Sequence, residues 1–141
     1  MGDALSYMGS QLAGAFVASF VSGWLLGNPE NASINIDETT IQALVAEMLG
    51  TFALAYVVLN VATAKANSGN SFYGLAIGLT VTAMAYTLGG FSGGAFNPAV
   101  AVAQSLSGSF AWSNIWIYLI GCFGGAALAA LVFNINNKED K

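Results

Sequence analysis

The sequence contains little charge. Asp, Glu, Lys and Arg together make up 7% of its 141 residues, whereas a soluble domain carries about 25%. Apolar residues make up 56% of the chain. With so few charges available to cover a water-facing surface, the chain is predicted to be an integral membrane protein.

Histidine is absent and cysteine occurs once, at Cys122. These scarcities exclude disulfides within the chain, zinc sites built with histidine, and catalysis by histidine. No nucleophile is paired with a base, so we expect neither an enzyme nor a metal site, and no cofactor is indicated. Cys122 stands in an apolar run, where packing is its expected role.

Four long apolar runs are present, at residues 5–26, 41–61, 72–88 and 112–133. A helix needs about 17 to 25 mostly apolar residues to cross a hydrocarbon core roughly 30 Å thick. The sequence therefore predicts an all-α membrane protein with four transmembrane helices in a single domain, residues 1–141. Small residues on the first run form two ridges, which predict close helix contact. The ridges are Gly14, Ala18 and Ser22, and Ala15, Ser19 and Gly23.

Residues 89–108, between the third and fourth runs, contain a short helix of their own. Asn97 is a favoured N-cap and Pro98 suits the first helical position, so a helix is predicted from Pro98 to about Ser107. Its length of about 15 Å is half a hydrocarbon core. We therefore predict a re-entrant loop whose half-helix begins near the membrane centre; an ordinary extramembrane loop is the alternative. Irregular backbone is expected at four glycines, Gly89, Gly90, Gly93 and Gly94.

The three basic residues, Lys65, Lys138 and Lys141, indicate an orientation. Four spans put both termini on one side of the membrane, and all three lysines fall on that side. By the positive-inside rule both termini are expected in the cytoplasm, with the plasma membrane as the expected location. The formal net charge of −4 offers nucleic acid no basic surface, so nucleic acid is not an expected partner.

The sequence resembles the aquaporin, or major intrinsic protein, family. Asn97-Pro98-Ala99 matches the NPA box of that family, within the similar context SGGAFNPA. The resemblance covers roughly residues 5–133. Further matching positions resemble the third to sixth helices of the family: Tyr7, Gln11, Gly14 and Ala15; Ala46, Glu47, Thr51 and Phe52; Ala76, Ile77, Gly78 and Leu79; and Trp116, Ile117, Tyr118, Gly121 and Gly125.

Two departures from the family pattern stand out. A family member has six spans and two NPA half-helices, whereas this chain resembles only the third helix and the second repeat, a partial aquaporin-like fold. The second NPA box of the family is usually followed by arginine, and here that position is Val100.

The resemblance implies a pore lined by the loop and the half-helix. Asn97 would offer its side-chain amide to the permeating molecule, and carbonyl groups would accept hydrogen bonds along the path. The implied carbonyls are those of Gly94, Ala95 and Phe96, and the implied selectivity filter is Ala85, Gly94 and Val100. The plain alternatives are a helix cap for Asn97 and lipid or core packing for Ala85 and Val100.

A second group of polar residues is expected to support the loop. Glu47 and Thr51 lie one turn apart on the second run, and a carboxylate there must face protein or water. We expect Glu47 to accept hydrogen bonds from the loop backbone, with a proton relay as the alternative. For Gln11, similar loop support and a plain contact between helices are both open.

These observations favour an aquaporin-like channel for water and small neutral solutes such as glycerol. The alternative is a non-conducting homologue that pairs with another membrane protein. A secondary transporter could also use a broken helix, but the spans lack the ionisable coupling groups that it would need. The expected partners are the lipid bilayer, the solute, and either further copies of the chain or a separate first-half polypeptide, because two half-helices normally meet at the membrane centre.

Overall fold

A computed structural model describes residues 2–27, 36 and 39–140 of the protein. The secondary structure assigned to these residues is entirely helical. The five α-helices are α1 (Gly2–Leu26), α2 (Thr40–Val58), α3 (Tyr73–Ser92), α4 (Pro98–Leu106) and α5 (Ile115–Asn136).

Four of the helical segments are long and apolar enough to cross a membrane, with mean hydropathies between 1.3 and 2.1. They are Asp3–Leu26, Thr40–Thr63, Tyr73–Ser92 and Trp112–Asn136. Among the five α-helices of the described residues, α4, with 9 residues, is too short. The prediction of an all-α membrane protein is therefore confirmed.

The packed centre of the fold is the pair formed by α2 and α5. Gly121 and Gly125 of α5 lie directly against the backbone of α2. A Cβ atom added to Gly125 would stand 2.3 Å from the carbonyl oxygen of Met48, and one added to Gly121 would stand 2.7 Å from the Cβ of Glu47. Small residues allow two helix backbones to approach this closely, and the approach places Glu47 between the two helices.

Helix α3 ends later than the sequence predicts. Gly89 and Gly90 were expected in irregular backbone, but the helix continues through both and ends at Ser92. A glycine inside a helix costs only about 1 kcal/mol relative to alanine, so contacts of the last turn outweigh it. The helix stops at Gly93, whose φ of 84° is left-handed and whose N–H donates to the Gly89 carbonyl at 2.8 Å.

Helix α1 packs beside the half-helix α4, but most of its residues stay exposed. It contacts α4, yet Ala15 is its single buried residue among those whose burial is described. Of the two predicted ridges, the one with Ala15 includes the half-buried Ser19 and Gly23, whereas Gly14 on the other ridge has no atom within 4 Å of an added Cβ. The expectation of close contact along both ridges is therefore wrong for this chain.

The end of α2 departs from α-helical geometry. The segment Leu59–Thr63 is a π-helix, in which the N–H of Ala64 donates to the carbonyl of Leu59 at 3.1 Å. Beyond it, the N–H of Lys65 donates to Asp140 Oδ1 at 3.1 Å. The connection between α2 and α3 is thus joined to the C-terminal turn, so both lie at the same end of the helices.

Candidate functional site: the loop before the half-helix

The loop from Gly93 to Asn97 has an unusual backbone. Three of its residues have left-handed φ values, namely Gly93 at 84°, Gly94 at 69° and Phe96 at 47°. This region suits glycine but is uncommon for a bulky residue such as Phe96. The Phe96 ring lies against Gly50 of α2, where an added Cβ would stand 2.3 Å from two ring atoms. Gly50 thus leaves space for the side chain of Phe96, the residue with the strained backbone.

Glu47 holds this loop from behind. Its side chain is completely buried, and both carboxylate oxygens accept hydrogen bonds. Oε1 accepts from the Ser92 hydroxyl at 2.6 Å and from the Ala95 N–H at 2.9 Å. Oε2 accepts from the Phe96 N–H at 2.7 Å, and the Cys122 thiol lies 3.6 Å from it. These donors compensate the carboxylate for the loss of water.

The bonds to Glu47 also orient two peptide groups. In a trans peptide the N–H and the C=O of the preceding residue point in opposite directions. Because the N–H groups of Ala95 and Phe96 point at Glu47, the carbonyls of Gly94 and Ala95 point away from it. The Phe96 carbonyl belongs to the next peptide group, which Glu47 does not contact.

The half-helix α4 begins as local sequence signals predict. Asn97 adopts extended backbone and its Oδ1 accepts the Ala99 N–H at 2.9 Å, while Pro98 occupies the first turn. An N-cap uses only the oxygen of the asparagine amide. The Asn97 NH₂ group therefore stays available as a donor at the helix N-terminus. Pro98 has no N–H and the Ala99 N–H is capped, so Val100 supplies the one first-turn N–H of α4 that has no acceptor among the described residues.

Two grooves meet at Asn97. The α1–α4 groove has a volume of about 440 Å³, and the tip groove, at the start of α4 beside α1 and α5, has about 540 Å³. The α1–α4 groove is lined by Gln11, Gly14, Ala15, Ala18, Ser19, Ser22, Asn97, Ala99, Val100, Ala103, Gln104 and Ser107. The tip groove is lined by Ala4, Tyr7, Met8, Gln11, Leu12, Asn97, Pro98, Ala99, Val102, Leu119 and Phe123.

The residues that the sequence assigns to the filter and to loop support are not all brought together. Val100 lines the α1–α4 groove, but Ala85, exposed on α3, and Gly94 line neither groove. Gln11 lines both grooves, and within the described ranges no hydrogen bond joins its side chain to the loop. Thr51 is buried on α2, but its hydroxyl makes no hydrogen bond to the loop in the described part of the chain.

Three polar residues at the loop were not singled out from the sequence as loop contacts. The Ser92 hydroxyl and the Cys122 thiol reach Glu47, and the Tyr118 hydroxyl donates to the Ser92 carbonyl at 2.7 Å. Their common signal was a polar atom within or beside an apolar span, because such an atom requires a partner when it is buried. Cys122 therefore does more than fill space.

Comparison with known proteins places these features in a family context. The model of the family described as Major intrinsic protein matches residues 1–133. The chain is 38% identical over 133 residues to the probable aquaporin TIP3-2 of Arabidopsis thaliana, an alignment that covers 92% of this chain and 49% of the relative.

Relatives occur in other groups of organisms. Aquaporin AqpM of Methanothermobacter thermautotrophicus is 33% identical over an alignment 149 positions long, which covers 97% of this chain and 60% of the relative. The glycerol uptake facilitator protein-like 6 of Lactiplantibacillus plantarum is also 33% identical over 149 residues, with 98% and 67% covered. The chain spans about half the length of the first of these relatives and up to two thirds of the others.

Proposed function

The chain belongs to the major intrinsic protein family, and from that premise we propose that it forms part of a membrane channel for water and small neutral solutes such as glycerol. The observation that carries the proposal is the start of α4. There, a capped helix N-terminus with a free Asn97 amide opens into the α1–α4 groove.

The proposed selectivity follows from the dipoles at this point. A helix N-terminus carries roughly half a positive charge, which repels cations and protonated water. The Asn97 NH₂ donates to a passing neutral molecule. The Gly94 and Ala95 carbonyls, which point away from Glu47, are the acceptors on the path, and we assign the Phe96 carbonyl to the same row. A neutral solute exchanges water contacts for these groups.

The proposed outer filter is wider than one that contains arginine. Val100, exposed and apolar, lines the α1–α4 groove beside Asn97. Ala85 and Gly94 are assigned to the same constriction because of the family resemblance alone. Three small or apolar residues at a constriction admit solutes larger than water and add no positive charge.

The pore wall of the proposed channel is shared with another polypeptide segment. The tip groove, of about 540 Å³, lies at the N-terminus of α4, where a second half-helix would cover the donors that α4 leaves without an acceptor in the described chain, the Asn97 NH₂ and the Val100 N–H. Exposed to lipid, such groups would cost several kcal/mol each. We assign the missing wall to a separate first-half polypeptide, a first half of the same polypeptide, or further copies of the chain in an oligomer.

We also propose that both termini face the cytoplasm and that the protein resides in the plasma membrane. The bond between Lys65 and Asp140 supports one part of this orientation, because it puts the connection between α2 and α3 at the same end as the C-terminal turn with Lys138. Two of the three lysines therefore share one end. Lys141 lies outside the described residues.

Stopped-flow light scattering on liposomes tests the channel. We expect vesicles that contain the chain alone, as a monomer, to match empty vesicles in water permeability. Co-reconstitution with the first half of the Methanothermobacter thermautotrophicus relative is expected to raise permeability. The gain should disappear in Asn97→Ala and persist in Asn136→Ala, a control that removes an asparagine amide far from the loop, at Tyr56.

Other outcomes would favour the alternatives. Water flux that depends on Asn97 in cross-linked samples that contain only monomers would mean that four spans and one half-helix suffice. Uptake that requires an ion gradient would indicate a transporter. Stable co-purification with the first-half polypeptide, but no flux, would support the non-conducting homologue.

A further inference from the structure

Tyr118 of α5 reaches the point where the chain enters the loop. Its hydroxyl donates to the Ser92 carbonyl at 2.7 Å, and Ser92 is the last residue of α3. The last carbonyls of a helix have no partner within the helix. Tyr118 therefore supplies, from a neighbouring helix, a donor to the last carbonyl of α3.

The ring of the same side chain lies at the point where the chain leaves the half-helix. Phe110, four residues beyond the end of α4, stacks on Tyr118 with ring centroids 4.6 Å apart and an angle of 10° between the planes. Ala95 of the loop and Ala101 of α4 complete the same buried cluster. One residue of α5 thus contacts both the segment that enters the loop and the segment that follows α4.

Ser92 extends this connection to the loop peptides. Its hydroxyl donates to Glu47 Oε1 at 2.6 Å and accepts the Gly94 N–H at 3.2 Å. Three successive peptide groups are thereby oriented, because the Gly94 N–H donates to Ser92 and the N–H groups of Ala95 and Phe96 donate to Glu47.

We propose that Tyr118 and Ser92 are positioning residues that set where the loop carbonyls and the Asn97 amide lie along the path. The part of this inference that concerns solutes rests on the proposed channel function. The hydroxyl of Tyr118 fixes the end of α3, the hydroxyl of Ser92 transmits that position to Gly94, and Glu47 holds the next two peptides. Solute discrimination then depends on two hydroxyl groups that lie behind the loop.

Amide hydrogen exchange in detergent or nanodiscs tests the positioning without any flux measurement. Tyr118→Phe keeps the ring and its stacking on Phe110 but removes the bond to Ser92. We expect exchange at the amides of residues 94–96 to rise about three- to tenfold, as the loss of one net hydrogen bond implies. The matched control is Tyr56→Phe, which removes a hydroxyl that accepts from Asn136 instead; it should leave residues 94–96 unchanged.

Ser92 supplies the second pair of variants. Ser92→Ala should raise exchange at residues 94–96 at least as much as Tyr118→Phe, because it removes both hydroxyl contacts. Ser92→Thr keeps a hydroxyl, so exchange at residues 94–96 should stay as slow as in the parent chain. If Tyr118→Phe does not fold, the contrast between Ser92→Ala and Ser92→Thr decides the question.

Permeability provides a readout that a purely structural role would not change. In an assembly with Asn97-dependent flux, Tyr118→Phe should shift the ratio of glycerol to water permeability while the Tm stays near that of the parent. A merely structural residue would lower both fluxes together with the Tm and leave their ratio constant, and that result would overturn the proposal.

The two inferences fail in different ways. Parental exchange rates at residues 94–96 in both Tyr118→Phe and Ser92→Ala would overturn the positioning role, whether or not the channel conducts. Faster exchange confined to these residues would support the positioning role. If the same chain showed no flux with any of the partners tried, the proposed channel function would be contradicted.

Discussion

The pair α2–α5 and the pair α1–α4 are built from similar residues but close to different degrees. Of the 18 most apolar consecutive residues in the segment that contains α5, 33% are buried inside the chain, whereas 6% of the corresponding residues of α1 are buried. Glycines bring α5 onto the backbone of α2, whereas α1 and α4 leave a groove of about 440 Å³ between them. Apolar character is common to both pairs, but only shape closes a contact between helices.

The polar groups of the two pairs differ in the same way. Within the closed pair, Glu47 is fully buried and surrounded by donors. Along the open pair, the amides of Gln11, Asn97 and Gln104 line the groove. Mutations at the α2–α5 backbone contact and at Glu47 should therefore act mainly on stability, and mutations in the open pair should act mainly on transport.

The largest effect is expected at Gly125. The Cβ in Gly125→Ala would meet the Met48 carbonyl oxygen at 2.3 Å and the Phe52 nitrogen at 2.9 Å, and neither backbone can move without separating α2 from α5. We expect the free energy of unfolding to fall by about 3 kcal/mol or more, at the upper end of the cost of overpacking a core. Thermal unfolding in detergent measures it. Gly78→Ala is the control, because nothing lies within 4 Å there; equal losses in both variants would contradict the closed contact.

Glu47→Ala should have the next largest effect. The N–H groups of Ala95 and Phe96 would lose their acceptor in a buried site, at about 1–3 kcal/mol each. We expect a lower Tm in detergent, and little change in the Tm for Gln11→Ala in the open groove. A fully stable Glu47→Ala protein with an altered proton leak would instead favour the proton relay.

Val100→Arg should change transport more than stability. Val100 is exposed in the open groove, where a long cationic side chain has room, narrows the path and adds positive charge. In a conducting assembly we expect glycerol uptake to fall more than water permeability. The Tm should stay near that of the parent. Unchanged glycerol or urea uptake would remove Val100 from the path.

The smallest effect is expected for Gly14→Ala. An added Cβ at Gly14 has nothing within 4 Å, and alanine favours a helix by up to about 1 kcal/mol over glycine. The chain should be unchanged or slightly more stable by thermal unfolding. A marked loss of stability in the chain alone would mean that the ridge with Gly14 is packed after all.

The sequence predicts best where the cause is local. The start of α4 was predictable because Asn97 and Pro98 act within one turn. The end of α3 was not, because contacts of Ser92 with Glu47 and Tyr118, 45 and 26 residues away in the chain, help to hold the last turn. A partner for Glu47 could be expected from the cost of a buried carboxylate.

The open pair was harder to anticipate. Small residues recur along α1 as they do along α5, and the hydropathy of both segments suffices for a membrane. Whether a small residue meets a backbone depends on the helix opposite it, which no pattern within one helix specifies. The resemblance placed Ala85, Gly94 and Val100 in one constriction, but only Val100 lines a groove beside Asn97.

The π-helical end of α2 gives this half of the fold a tolerance in length. A π turn accommodates one residue more than an α turn, so Leu59–Thr63 can be regarded as an α-helix with a single-residue insertion. The residues before it, including Glu47, keep their helical phase, and the extra residue is absorbed before Ala64. Deletion of one residue here should therefore leave an α-helical end, with the carboxylate behind the loop still in register.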